Sequence, residues 1–281
     1  MTISVVVISY NEEANIGRTL ESVMPLVRDD RGEIIVVDSG STDRTVEIAK
    51  SFAAKVFVEE WKGYAAQKNS AIDKATGDWI LSLDADEEIS PDLARHIVFA
   101  ATNDDGPFEW NLAPRRNVSY EDLGTDVGPL PLAFWIPRRN FFLGRWIKHG
   151  GFYPDPKLRL FARGAARFDE NRLVHEDAQT NRQTANLPQG HIIHHSYPTV
   201  SDYIAHMNRY SSLGAEMAVA KGKRNSLFLD ITFRPLMTFI YNYFFRLGFL
   251  DGREGFLLHV GHAVYVSWKY MKVWELQQSK G

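Results

Sequence analysis

The chain has 281 residues, enough for one large domain or two, and its hydrophobic (44%) and charged (24%) fractions are ordinary for a globular protein. It has no cysteine, which excludes a disulfide scaffold, a thiol nucleophile and a cysteine-ligated zinc and fits a reducing, cytoplasmic compartment. The net charge of −3 is uneven: residues 221–281 carry nine Lys/Arg and four Asp/Glu, a balance of +5, so residues 1–220 carry −8.

The first hundred residues alternate between strand and helix patterns. Runs rich in β-branched and apolar residues predict four strands, over 3–9, 33–37, 55–58 and 79–83. Amphipathic stretches separate them, and Ser90-Pro91 is typical of a helix start. This alternation favours right-handed βαβ units. The predicted fold class is therefore α/β, with a Rossmann-like, mostly parallel sheet flanked by helices.

The pattern changes after residue 116. Residues 117–131 are rich in turn formers and predict a long loop, which in a compact domain is often functional. Short strand-like pieces follow, and two or three helices close the chain from near Thr199. We therefore expect a main domain over 1–198 and a C-terminal helical extension over 199–281. The N-terminus lacks a basic leader and a small-residue cleavage site, so no signal peptide is expected.

Polar clusters follow three of the predicted strands, at 9–12, 38–43 and 84–86. In an open α/β sheet, ligands bind outside the carboxyl ends of the strands, so these clusters are expected to face one crevice. Each cluster alone is better explained by local structure, either capping of the next helix or, for 38–43, a Gly/Ser turn. Together they favour a nucleotide and metal site.

The acidic run at 84–88 supports a metal in particular. Carboxylates packed so closely raise one another's pKa, and a divalent cation such as Mg²⁺ or Mn²⁺ would relieve the repulsion. Such a cation also neutralises a departing diphosphate. The sequence contains no G-x-x-x-x-G-K-[ST], no G-x-G-x-x-G after the first strand and no H-E-x-x-H, which argues against the other common nucleotide sites and against a zinc protease.

The motifs VVVISYNEEANIGRTLESV, IIVVDSGSTDRTVEIA and GYAAQKNSAIDKATGDWILSLDADEEI together resemble the family-two nucleotide-sugar glycosyltransferases, which have the GT-A fold. RRNFFLGRWIKHGGFYPDPKLRLFARG followed by LVHED resembles a narrower group, the lipopolysaccharide-core glucosyltransferases that act on inner-core heptose. The resemblance implies an inverting, metal-dependent transfer from a nucleoside-diphosphate sugar such as UDP-glucose to a glycan hydroxyl. It also divides the main domain into a donor half, 1–116, and an acceptor half, 117–198.

The resemblance implies roles for individual residues on the donor side. The nucleoside would be held by Ser9, Tyr10, Glu12 and Asp38. Ser39 stands where the family often has a second acid. Lys68 would lie near the uridine or the diphosphate, Asp84 would contact the ribose and Asp86 would bind the metal. Glu87 and Glu88 are expected at the rim of the following helix.

The family often adds a histidine that binds the metal or the diphosphate. His191, His194 and His195 are candidates, and because a strand alternates its faces, His194 and His195 cannot both face the site. We favour His194, although a histidine hydrogen-bonded at a strand end explains the pattern equally well.

An inverting transfer also needs a carboxylate that takes the acceptor proton. Glu176 matches the acid of the LVHED motif, and Asp177 should face the other way if the segment is extended. The alternative for Glu176 is a surface acid paired with Arg172. On the acceptor side the resemblance points to Arg145, His149 and Arg159.

The C-terminal segment has a polar stripe, Arg234, Thr238, Asn242 and Arg246, on an otherwise aromatic and aliphatic helix. Such a helix is buried nearly all round or lies in a membrane interface. Basic and aromatic residues coincide there, which favours peripheral binding at the inner face of the cytoplasmic membrane. Packing on the catalytic domain, or on a second copy in a homodimer, is the alternative.

The predicted partners are thus a nucleotide-sugar donor, a glycan or glycolipid acceptor and a membrane surface, with no nucleic acid. Two rival functions remain open from the sequence: a nucleotidyltransferase that makes sugar nucleotides, and a catalytically silent carbohydrate-binding or scaffold protein.

Overall fold

The structure is a computed structural model that describes residues 2–102, 131–170, 177–187, 189–222, 226 and 228–278. The chain forms two compact units. The first comprises Met1–Arg138 and Pro156–Ile193, and the second comprises Arg139–Asp155 and His194–Gly281. The functional boundaries predicted at residues 116 and 198 stay a prediction. Most of the predicted loop at 117–131 lies outside the described residues.

Parallel strands form the centre of the first unit. β1 (Ile3–Ser9) lies between β2 (Gly32–Asp38) and β4 (Trp79–Asp84), and β3 (Lys55–Val58) extends the sheet beyond β2. All three pairings are parallel, as predicted. Every residue of β1 is buried, because a central parallel strand is covered on both faces, and this explains its unbroken apolar run.

Further strands complete a mixed sheet. Beyond β4 the order is β8 (Asp155–Ala162), β6 (Ala133–Phe142), β12 (Ile192–Tyr197) and β5 (Glu87–Ile89). The pairing of β8 with β4 is antiparallel. The shortest strands are β7 (Arg145–Trp146), β9 (Arg167–Phe168), β10 (Ala178–Gln179) and β11 (Thr184–Asn186).

Helices cover both faces of the parallel strands. They are α1 (Ile16–Val27), α2 (Thr45–Ser51), α3 (Tyr64–Asp73) and α4 (Pro91–Thr102). Val5 and Val7 of β1 belong to the core cluster that contains α1 and α4, whereas Val6 and Ile8 belong to the cluster that contains α3. The faces alternate because successive side chains of a strand point in opposite directions. The predicted α/β fold class is confirmed.

The second unit contains the C-terminal helices that the sequence predicts. α5 (Val200–Ala220) begins after Thr199, whose hydroxyl accepts the backbone N–H of Asp202 at 3.1 Å. α6 (Arg234–Ile240) and α7 (Gly252–Gln278) follow. The Lys272 ammonium of α7 donates to side chains and a carbonyl of α5, at 2.7 to 2.8 Å, so these two helices are packed together.

The segment with the polar stripe is not one regular helix. α6 is flanked by two π-helical turns, Leu229–Phe233 and Tyr241–Phe245, and a 3₁₀ turn, Gly248–Asp251, precedes α7. A π turn changes the helical repeat, so a spacing of four does not keep side chains on one face through it. Among the described residues, no helix combines the length and the apolar character that crossing a membrane requires.

Candidate active site

The ends of β1 and β2 are level and joined by a buried carboxylate. Ser9 pairs with Asp38 in the parallel register, and the Ser9 hydroxyl donates to Asp38 Oδ2 at 2.8 Å. Asp38 also accepts the backbone N–H groups of Gly40 and Ser41, at 3.0 and 2.7 Å, and the Ser41 hydroxyl. This carboxylate therefore holds the turn after β2 in shape. A contact with the nucleobase stays a prediction.

The loops after β1 and β2 are tied together by hydrogen bonds. The backbone N–H of Asn11 donates to Ser41 Oγ at 2.8 Å, and Asn11 Oδ1 accepts the backbone N–H of Thr42 at 2.8 Å. The backbone N–H of Glu12 donates to Thr45 Oγ1 at 2.7 Å. Asn11 therefore links two loops and does not cap α1, which begins five residues further on.

The pKa of Glu12, in the first cluster, is affected by acids of the other two clusters. Burial raises the pKa of Glu12, and three neighbouring acids raise it further. In order of effect these acids are Asp86, Asp43 and Asp84. A 2.8 Å hydrogen bond from the Asn15 amide opposes the rise. The parallel register places Ser9 opposite Asp38 and Ile8 opposite Asp84, so the three polar clusters lie at one edge of the sheet, as predicted.

Asp84 lies between two buried cations. Its Oδ1 is 2.8 Å from Lys68 Nζ and its Oδ2 is 2.7 Å from Arg159 Nη2. Burial alone would raise the pKa of Asp84, but the charges of Arg159 and Lys68 outweigh it and hold the pKa well below its usual range. Asp84 is therefore ionised and fixed in position.

The expectation for Glu87 was wrong. Glu87 does not lie at a helix rim: it belongs to the short strand β5, and its side chain is fully buried. Its Oε1 is 3.0 Å from Arg159 Nη2 and 2.9 Å from Arg138 Nη1, and its Oε2 accepts the Asp84 backbone N–H at 3.0 Å. Glu88 lies on the same strand and pairs with Arg18 at 2.8 Å.

Metal binding in this region stays a prediction, which the chemistry of its side chains allows. Asp86 and Glu12 bring hard oxygen ligands, and their mutual repulsion is of the kind that Mg²⁺ or Mn²⁺ relieves. Asp84 and Glu87 are already balanced by protein cations. Within the described ranges, no group of three or more His, Asp or Glu side chains is arranged to hold a metal.

Two of the three histidine candidates, His194 and His195, contact side chains of β6. His194 Nδ1 lies 2.9 Å from Asn140 Oδ1 and 2.8 Å from Ser196 Oγ, all within the second unit. His195 packs on Phe141, with ring centroids 5.6 Å apart. The metal role of His194 stays a prediction, and the proposed base, Glu176, lies outside the described residues.

Two of the three acceptor candidates belong to the second unit. His149 Nδ1 lies 2.9 Å from the buried Asp251, which also accepts the backbone N–H groups of Lys148 and His149. Arg145 lies 3.5 Å from Glu254. The third candidate, Arg159, is instead part of the Asp84 and Glu87 network in the first unit.

Residues 4–167 of the chain match the sequence model described as Glycosyl transferase family 2, which is more than half of the chain. The chain belongs to glycosyl transferase family 2. The family resemblance read from the motifs is therefore confirmed, and the protein is a glycosyltransferase.

Relatives of this family 2 glycosyltransferase match nearly its whole length. It is similar to the lipopolysaccharide core biosynthesis glycosyltransferase LpsC of Rhizobium meliloti, with 27% identity over 98% of this chain and 93% of that protein. It is also similar to an uncharacterized glycosyltransferase of Rickettsia felis, with 31% identity over 99% of this chain and 90% of that protein. A solved structure of glucosyl-3-phosphoglycerate synthase from Mycobacterium tuberculosis, in complex with Mn²⁺, UDP and glucosyl-3-phosphoglycerate, shares 30% identity over 36% of this chain and 38% of that chain, with a TM-score of 0.31.

Sequence reasoning missed Arg138 and the part that Arg159 plays in this glycosyltransferase. A signal existed for Arg159, which stands inside the apolar strand segment KLRLFA. A charged residue in such a run is almost never buried without a partner, so it predicts a buried carboxylate nearby. Asp251 carried no comparable signal, because it stands directly before a helix, where an acid is commonly exposed.

Proposed function

We propose that this glycosyltransferase is an inverting enzyme that moves a hexose from a UDP-sugar, such as UDP-glucose, to a hydroxyl of a lipid-linked glycan. The observation that carries the proposal is the convergence of Glu12, Asp84 and Asp86 beside the buried Lys68. The similarity to a lipopolysaccharide core glycosyltransferase supports a core acceptor, and inner-core heptose is the proposed sugar.

The donor would lie along the strand ends. Tyr10 is 57% exposed and is available to stack on the nucleobase. Asp38 and Ser9 hold the adjacent turn rigid, which preorganises the nucleoside site. Asp84 would accept a ribose hydroxyl, and the Lys68 ammonium, 2.8 Å from Asp84, would balance the diphosphate.

Asp86, with Glu12 nearby and His194 as a further candidate, would hold Mg²⁺ or Mn²⁺. The bound cation would neutralise charge on the diphosphate as it leaves. The effect of Asp86 on the pKa of Glu12 supports this assignment, because neighbouring carboxylates repel each other and a shared cation relieves that repulsion.

In the chemical step, the acceptor oxygen forms a bond to the anomeric carbon on the face opposite the diphosphate. The bond from that carbon to the diphosphate oxygen breaks, and UDP leaves with the electron pair. Glu176 takes the proton of the attacking hydroxyl as the new bond forms. Attack from the opposite face inverts the anomeric configuration.

The second unit would bind the surface of a membrane. Large apolar side chains are exposed along residues 228–274, and they include Phe228, Phe233, Tyr241, Phe244, Phe245, Phe249, Phe256 and Trp274. Arg234 and Arg246 are exposed in the same segment. An apolar surface with interspersed cations is suited to an anionic lipid surface. This location would bring the enzyme to a lipid-linked acceptor.

The test is a panel of UDP-sugars offered to the full-length chain, with and without a truncated core oligosaccharide. We expect slow release of UDP without acceptor, faster release with acceptor, and a product of inverted configuration by NMR. Consumption of a nucleoside triphosphate with a sugar phosphate would instead support a nucleotidyltransferase. No turnover of any sugar nucleotide would support the silent binding protein.

A further inference from the structure

An apolar groove lies between α6 and α7 of the second unit, and the function proposed so far assigns it no ligand. Phe239 of α6 meets Phe256 of α7 edge to face, with ring centroids 6.1 Å apart. In the π turn directly before α6, the Ile231 carbonyl accepts the Ser267 hydroxyl of α7 at 2.8 Å. The two helices are therefore antiparallel, and the groove follows α7 from Phe256 to Ser267.

The groove offers a ligand almost no hydrogen-bonding group. Its volume is about 400 Å³, and seven of its eight lining residues are apolar. The eighth, Ser267, already donates its hydroxyl to Ile231. Leu236, Val260 and Val264 line the groove and are nevertheless exposed. A ligand that fills the groove must be apolar along its length, because a polar one would lose hydrogen bonds to water without replacing them.

The length of the groove matches one hydrocarbon chain of a membrane lipid. Ser267 follows Phe256 by eleven positions, and a helix rises about 1.5 Å per residue, so the lining of α7 extends over about 16 Å. The hydrocarbon core of a bilayer is about 30 Å thick, so the chains of one leaflet span about 15 Å. One such chain lying along α7 can therefore contact the lining residues from end to end.

A cation stands at one end of the groove. Arg253 precedes Phe256 by three positions on α7, a spacing that places two side chains on the same face of a helix. Arg253 is exposed, and none of the described carboxylates forms an ion pair with it. An anionic group that enters at this end would meet a positive charge that no described acid balances.

A second copy of the chain is less suited to this groove than a lipid is. A two-fold contact would bring the same face of both copies together. The acids that flank the groove in the chain are Asp230, which lies 2.7 Å from Arg234, and Glu254, which lies 3.5 Å from Arg145. Neither acid is left to balance Arg253, whereas the phosphate of a phospholipid would balance it.

We infer that the groove binds one acyl chain of an anionic phospholipid, with the lipid phosphate at Arg253. The apolar lining removes the chain from water, and the guanidinium forms charge-assisted hydrogen bonds with the phosphate. A lipid held in this way fixes the orientation of the second unit on the bilayer, which insertion of scattered aromatic side chains does not. This inference rests on the membrane contact in the proposed function, because a bilayer must supply the lipid.

The test titrates the full-length chain with decyl, dodecyl, tetradecyl and hexadecyl phosphate, each below the concentration at which it forms micelles, and measures Kd by calorimetry. Each added CH₂ group should lower the Kd about twofold to fourfold, because an open groove buries the chain only in part, and the gain should end once the chain is as long as the groove.

Two variants fill the groove, and a third supplies the matched control. Val260→Trp and Val264→Trp each place a large ring among the lining residues and should raise the Kd for dodecyl phosphate about tenfold or more. Leu257→Trp adds the same ring at an exposed residue of α7 that does not line the groove, and should leave the Kd within about twofold of wild type. Two filling variants are used so that the test does not depend on the folding of one.

The charge at the end of the groove is tested separately. Arg253→Gln should raise the Kd for dodecyl phosphate about tenfold, the loss of one charge-assisted contact, and should leave the binding of neutral dodecyl maltoside unchanged. Lys221→Gln changes the net charge equally at an exposed lysine of the same unit and should have no effect on either ligand.

The outcomes separate this inference from the proposed function. The inference is wrong if the wild type binds no alkyl phosphate, if the Kd does not depend on chain length, or if both filling variants bind as the wild type does. It is also wrong if the filling variants lose dimerisation but keep binding to phosphatidylglycerol vesicles, which would assign the groove to a second copy. If the wild type binds alkyl phosphates through the groove but transfers no sugar, the inference stands and the proposed sugar transfer fails.

Discussion

Replacing Arg159 by methionine tests whether the buried ion network holds the donor carboxylates in place. Arg159 is 5% exposed, and one of its nitrogens bridges Asp84 and Glu87 at 2.7 and 3.0 Å. Methionine keeps much of the side-chain volume but removes the charge. Of the cations among the described residues, Asp84 would then retain Lys68 and Glu87 would retain Arg138.

The expected loss of stability follows from the number of ion-pair partners that each carboxylate keeps. Breaking a buried ion pair by removing one partner costs about 3–5 kcal/mol, because the other charge stays buried and unbalanced. Here each carboxylate keeps one cation, so we expect the lower end, about 3 kcal/mol of unfolding free energy. Activity should also fall, because Asp84 is no longer fixed, and this fall should appear mainly as a higher KM for the donor.

Equilibrium unfolding in urea measures the loss, and an exposed arginine supplies the matched control. Arg167 binds Asp73 through two contacts of 2.6 and 3.0 Å, but both side chains are more than half exposed. Arg167→Met should therefore cost less than about 1 kcal/mol. Equal losses in the two variants would refute the argument from burial.

A double-mutant cycle isolates the bridge itself. Glu87→Gln removes one of the two acids that Arg159 balances, so the double variant should be less destabilised than the sum of the single variants. Coupling of about 0.5–3 kcal/mol is typical of directly paired residues. Coupling near zero would mean that Arg159 stabilises the sheet by packing alone. Arg159→Lys should recover only part of the loss, because one ammonium replaces a planar fork.

Four further predictions follow from the site and the surface. Glu176→Gln should lower kcat by about 10²–10⁴-fold with little change in UDP-sugar binding, and Asp177→Asn should lower it much less. Steady-state kinetics measure both effects, and an inactive Asp177→Asn variant would reverse the assignment. A chelator or Asp86→Asn should remove most transfer, and only the chelated wild type should recover with Mn²⁺ or Mg²⁺; full activity in chelator would rule out the metal. Phe244→Ser combined with Phe245→Ser should weaken binding to anionic vesicles, measured by co-sedimentation, about tenfold or more. Val58→Ser, at another exposed apolar residue, should not weaken it. Dimerisation without vesicle binding would point to a second copy as the partner of this surface. Burial tends to raise the pKa of Glu33, but hydrogen bonds from Lys55, Thr76 and Ser4 lower it to about 2. The contribution of Glu33 to stability is therefore present above its ordinary pKa of 4.5 and is lost as the pH falls towards 2. Glu33→Gln should flatten acid unfolding across that range, measured by the urea midpoint at each pH; an unchanged acid profile would contradict this.

The parallel strands were predictable because their burial is a property of their own sequence. A run such as that of β1 is apolar at every position only when both faces are covered, and the predicted bounds agree with the structure to within one residue at each end of β1 to β4. The start of α4 was predictable for the same reason, because its signal lies in neighbouring residues. Ser90 Oγ accepts the backbone N–H of Leu93 at 3.3 Å.

The role of Glu87 could not be read locally, because its partners are far away in sequence. Arg159 is 72 residues from Glu87, and Arg138 is 51 residues away. In the sequence, Glu87 stands between a strand end and a helix cap, where an acid normally faces solvent. The surroundings of the C-terminal apolar side chains could not be read locally either, because whether such side chains are covered depends on what packs against them.

The four acids of the run after β4 therefore have different surroundings. Asp84 and Glu87 are balanced inside the protein by Lys68, Arg159 and Arg138, so their charge is part of the rigid floor of the site. Asp86 raises the pKa of Glu12, and Glu88 pairs with Arg18. In the proposed function, the affinity for a divalent cation then depends on Asp86 and Glu12, whereas the position of the donor depends on the balanced pair. Substitutions of Asp86 and of Arg159 should consequently have separable effects. Changing Asp86 should alter the metal requirement, and changing Arg159 should alter the KM for the donor.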